Sequence, residues 1–104
     1  MTTFDAREQA FESKFAHDAE MTFRAEARRN RLLGHWAAGL LGKEGEAANA
    51  YAAEVVKADF EHAGHEDVIR KLVADLAGKA DEETIRARFA QFLAEAKGQI
   101  VDEA

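Results

Sequence analysis

The side chains that could do chemistry in this 104-residue chain are few. It has no cysteine, and Ser13 is its single serine, so a thiol or hydroxyl nucleophile with an orienting base has almost nothing to be built from. Carboxylates next to or near one another, such as Asp59/Glu61 and Glu82/Glu83, suit acid–base chemistry, but such pairs are common as helix caps and solvated decoration. His62 and His65, with Asp59 and Glu66 close by, have a spacing that can ligate zinc from one helix face. Gly64 falls between the histidines and should end that helix, and no glutamate stands where a zinc-protease motif needs one. Gly42-Lys43 and Gly78-Lys79 lack the earlier glycine and the following Ser/Thr of a phosphate loop. These absences point away from an enzyme and away from a metal centre.

Two binding chemistries remain. Arg24, Arg28, Arg29 and Arg31 form a basic run in which Arg24 and Arg28 lie one turn apart. The plain role for such a run is pairing with Asp18, Glu20 and acidic groups later in the chain; the functional one is contact with an acidic partner or a phosphate. A purine nucleotide, ADP or ATP, could stack on Trp36 or Tyr51 with Arg28 and Arg31 at its phosphates. Otherwise no cofactor is expected. The second chemistry is apolar. At 100° per residue Phe4, Phe11 and Phe15 share one narrow wedge of a helix. Leu33, Trp36 and Leu40 return to that wedge, but Thr22, Glu26 and Arg29 fill it in between.

The elements that would carry these groups are all helical. There is no proline, and Ala, Glu, Leu, Lys and Arg abound. The expected fold is an all-α bundle of four to five helices with a long or kinked N-terminal helix. Phe4 or Asp5 starts a first segment that ends near Phe15–Asp18, and a kink or loosened turn near 16–22 lets the two apolar faces diverge. A second segment covers Phe23 to Leu41 before the glycines at 39, 42 and 45. A third fits Glu46 to Ala63, with Ala48, Ala52, Val55, Val56 and Phe60 inward and Tyr51 at the edge. A fourth runs from Glu66 to Ala77 and stops at Gly78. Asp81 caps a last helix that buries Ile85, Phe89, Phe92, Leu93 and Ala96 and is expected to fray after Gly98, leaving 102–104 disordered. Two units follow: residues 1–18 as a terminal helix and 19–104 as the bundle.

Alanine makes up 23 of the hydrophobic residues, so the core is thin. Net charge is −6, and all of it lies beyond residue 42; residues 1–42 carry six basic and six acidic groups. An acidic body argues against nucleic-acid binding. The polar, acidic start is no signal peptide, and the apolar run 32–42 is too short to cross a bilayer. A cytoplasmic protein is therefore expected. The phenylalanine stripe admits two readings. It folds back as an ordinary bundle helix, or its i, i+7, i+11 aromatics fill a partner's groove.

Longer stretches carry a family resemblance. Thr3-Phe4-Asp5-Ala6-Arg7-Glu8, Lys14-Phe15-Ala16-His17-Asp18, Ala25-Glu26-Ala27-Arg28, Asn30-Arg31-Leu32-Leu33-Gly34, Trp36-Ala37-Ala38 and Leu41-Gly42 resemble the zeta subunit of alphaproteobacterial F-type ATP synthases. The resemblance continues through Tyr51-Ala52, Val55-Val56, Asp59-Phe60-Glu61 and Gly64-His65-Glu66-Asp67-Val68 and covers nearly the whole chain. It implies a small helical bundle that inhibits ATP hydrolysis. The N-terminal segment would insert where a catalytic α/β pair meets the γ subunit and stop reverse rotation. On that basis Phe4, Asp5, Arg7, Glu8, Phe11, Glu12, Lys14 and Phe15 fall in the inhibitory segment, and the protein would sit at the inner membrane only through the synthase.

Overall fold

The computed structural model describes residues 3–61 and 64–104, the side chains of 3–5 and 61 excepted. Five helices follow in order: α1 (Thr3–Phe15), α2 (Ala19–Leu40), α3 (Gly45–Glu61), α4 (Glu66–Asp75) and α5 (Glu82–Glu103). The described residues contain no strand, so the expected all-α bundle is what the chain forms. None of these helices is long and apolar enough to cross a membrane.

The joints are set by local chemistry. Asp18 leaves helical geometry and its side chain accepts the amide proton of Met21 at 3.1 Å, which separates α1 from α2 with only residues 16–18 between them. The second helix thus begins four residues earlier than Phe23, because the cap sits before it. At its other end Lys43 donates its N–H to the Ala38 carbonyl and Gly42 to that of Gly39. Gly42 has φ +76°, the left-handed turn that closes this two-bond motif and that a side chain would oppose. Asp81 caps α5 by accepting from the Thr84 amide at 2.8 Å, as expected.

Apolar side chains divide into two cores. The larger lies among α2, α3, α4 and α5 and includes Leu33, Val55, Val68, Leu72, Leu76 and Ile85. Its closest approach is at Gly34, where an added Cβ would stand 2.6 Å from the Ala52 Cα. The smaller core joins α1 to α2 and α5 through Phe11, Phe15, Ala25 and Ile100, with Met21, Leu93 and Val101 at its edge.

Two sequence expectations are corrected here. The last helix does not fray after Gly98 but continues to Glu103, because α1 packs along its final turns. Phe60, placed on an inward stripe, and Leu40, on the apolar wedge of α2, are 50% and 39% exposed. Phe11 and Phe15 follow the bundle-helix reading and build a small core of their own with Ala25 and Ile100.

Helix propensity alone favours alanine over glycine by about 1 kcal/mol. We predict that Gly34→Ala goes the other way, lowering stability by about 1–3 kcal/mol through overpacking against α3. Gly39→Ala, with nothing within 4 Å of the new methyl, should be neutral or stabilising. Urea unfolding of the two variants checks the opposite signs.

Candidate functional site

The terminal helix presents its aromatics inward. Phe11 is 1% exposed and Phe15 8%, and their rings meet at 5.3 Å in a tilted contact. They are one turn apart, so both lie on the face that α5 covers. Charged groups rim the contact. Arg7 pairs with Asp102 at 2.6 Å, and Lys97 pairs with Glu12 and lies 5.6 Å over the Phe11 ring. Gly98 makes room for Arg7: a Cβ there would come within 2.9 Å of the guanidinium carbon. The residue read as a helix breaker is the seat of an N-terminal arginine. Arg28 completes the frame from α2, donating to both carboxylate oxygens of Glu103 at 2.5 and 2.8 Å. That hydrogen bonding holds Glu103 below the usual carboxylate range and Arg28 above its own ordinary value. The stability this gives is present above the ordinary carboxylate pKa and is lost as pH falls through the lower folded value.

Of the residues implied for the inhibitory segment, Phe11 and Phe15 are buried, Arg7 and Glu8 half-buried, and Glu12 and Lys14 exposed. The side chains of Phe4 and Asp5 lie outside the described residues. The bundle-helix reading of the stripe is therefore the arrangement this structure holds, with the aromatics facing their own chain.

A second cluster was read differently from the sequence. Asp59, grouped with surface carboxylates, is 8% exposed, and Arg29 and Asn30 are 1% and 0% exposed. Arg29 Nη2 donates to Asp59 Oδ2 at 3.4 Å, Asn30 Nδ2 donates to the same oxygen at 2.9 Å, and His65 Nδ1 lies 3.0 Å from Asp59 Oδ1. The guanidinium carbon lies over the Phe89 ring, 4.0 Å from its centroid. Desolvation pulls the Arg29 pKa down, while the charges of Asp59 and Glu26 oppose that pull. Among the described residues Glu26, Asp59 and His65 bring donor atoms within 4.8 Å of one another, a spacing that can hold a metal ion. Here the cation they surround is Arg29. Glu66, from the candidate zinc set, instead takes Arg86 in a bidentate pair, and His62 lies outside the described residues.

The four nucleotide candidates are not gathered into one pocket. Tyr51 is buried, and its hydroxyl donates to Asp75 at 2.7 Å; burial and then Asp75 push its phenol pKa up. Trp36 packs against the larger core under Arg88, and Arg28 is held by Glu103. Of the four, Arg31 lines a surface groove of about 290 Å³, with His35, Asn49 and Val56.

Fold and site together define a small helical module whose terminal helix rests on the rest of the chain through a contact separate from the main core. The chain belongs to the ATPase inhibitor subunit zeta family, whose model matches residues 1–99. A protein solved by solution NMR is similar over 81% of this chain and 99% of its own, at 61% identity and a TM-score of 0.74. No curated protein sequence matches the chain. The family name makes this a regulatory protein associated with ATP synthase.

The buried cluster predicts an asymmetric mutational response. Asp59→Ala strands the Arg29 charge and should cost about 3–5 kcal/mol. Glu83→Ala, on an exposed face, should change stability by less than about 0.5 kcal/mol. Chemical denaturation of both variants reads the difference.

Proposed function

We propose that this chain inhibits ATP hydrolysis by the F-type ATP synthase, and that α1 is the inserting element, entering where a catalytic α/β pair meets γ. Membership in the inhibitor family supports the first half. The observation that carries the second is the division of the core: among the described residues, every member of the larger cluster lies outside α1, so those residues keep their packing when α1 departs.

The docked helix is then a stored form of the inhibitor. Leaving the dock exposes Phe11 and Phe15, each worth about 1.5–3 kcal/mol of burial. A partner crevice must return at least that much, and two aromatics on one helical face are suited to doing so. Docking lowers apparent affinity by the fraction of chains closed at any moment. The wedge acts sterically and needs no chemistry of its own.

Two variants separate insertion from other modes of inhibition. Deleting residues 1–18 should leave a folded bundle that no longer inhibits the cognate ATPase; a truncated chain that inhibits as well as the full one overturns insertion. Ile100→Ala removes part of the dock without touching α1. A loss of about 2–5 kcal/mol in α1 packing is expected, so half-maximal inhibition should occur at lower concentration. Weaker inhibition from this variant would show that the docked form is the active one.

A further inference from the structure

Three large apolar side chains stand exposed among the described residues, and two of them touch. Phe23, 54% exposed, and Phe60, 50% exposed, stack with ring centroids 5.0 Å apart and planes within 9°. Each ring covers one face of the other and leaves the remaining surface in water. The stack opens a seam between α2 and α3. Half-buried Ala27 and Val56 continue it, and the groove under Arg31 and His35 ends it. From Phe23 to His35 the seam is about 18 Å long, three turns of helix.

Charge tells what would cover it. On α2, Arg24 pairs with Glu20, Arg28 with Glu103 and Arg29 with Asp59. Arg31 forms no ion pair among the described residues, in a chain with 20 carboxylates. A stacked aromatic pair at one end and an unanswered cation at the other fit an amphipathic helix that brings aliphatic side chains and a carboxylate. Phe23 also borders the notch at the α1–α2 joint, beside Ala16 and Asp18. The seam therefore begins where α1 leaves the bundle, and the rim of any crevice that takes α1 is the first surface it meets.

We propose that the α2/α3 seam is a second docking surface, which takes an acid-bearing amphipathic helix of the ATP synthase head while α1 is inserted. This rests on the inhibitory reading above. α1 supplies the block, and the seam supplies residence on the enzyme.

The test uses the full chain as wild type, as the double variant Phe23→Ser/Phe60→Ser, and as Arg31→Glu, with melting temperatures compared first. Because all three side chains are exposed, the fold should hold; should the double variant melt early, Phe60→Ser alone replaces it. In ATPase assays the aromatic variant should reach the wild-type plateau of inhibition at about tenfold or more higher concentration. Arg31→Glu should shift less and should lose the salt sensitivity of the wild type. Half-maximal concentrations within twofold of an inhibiting wild type overturn the seam and leave the inhibitory reading intact. A wild type that does not inhibit at all overturns the inhibitory reading, and the seam with it. Sedimentation showing a wild-type dimer that the aromatic variant abolishes would assign the seam to a second copy and overturn the proposal.

Discussion

A guanidinium withdrawn from water organises this bundle. Arg29 sits on the inward face of α2, one turn before Leu33, where an aliphatic residue would ordinarily pack. Its charge has to be met inside the fold. The groups that meet it come from every other bundle helix: Asp59 from α3, His65 at the start of α4, and the Phe89 ring from α5. An apolar contact tolerates sliding; a hydrogen-bonded ion pair fixes distance and rotation. Asn30 narrows the choice further by spanning Arg29 and Asp59. This polar pin specifies which faces of the helices meet.

The pin also explains why α1 stands apart. It gathers α2 through α5 and makes no demand on the first helix, which is left to a small aromatic patch and a charged rim. Rim pairs in which at least the carboxylate stays in water orient a contact more than they hold it. The docking of α1 thus depends on two phenylalanines and the isoleucine beneath them, while the rest of the chain depends on a larger core and a buried charge. One sequence thus carries two apolar contacts of different size.

Much of the fold was legible because it is written in short-range chemistry. Asp81 and the glycines at 42, 64 and 78 mark helix ends whatever the tertiary structure. The kink near 16–22 followed from the mismatch of two apolar faces. The rest depended on contacts distant in sequence. Periodicity shows which face of α1 is apolar but not what covers it, and the covering residue, Ile100, lies some ninety positions away. Gly98 looks like a helix breaker until Arg7 is seen across it. Asp59 looks like its neighbours on the surface until the charge of Arg29 is seen to need it. The helix wheel did place Arg29 in the same wedge as Leu33; taken as a polar interruption, that position was in fact an inward one. The nucleotide candidates share residue types suited to a ligand, yet packing sends Tyr51, Trp36 and Arg28 to separate partners.

The three-residue joint between α1 and α2 sets the geometry of any movement. Residues 16–18 are too few for a tether, so an α1 released as proposed would pivot about Asp18 and stay beside the bundle. Its 13 residues make a lever of about 20 Å. The body of the protein must then stand within one lever length of whatever the tip reaches, and its bulk would shadow that opening from any other molecule of comparable size.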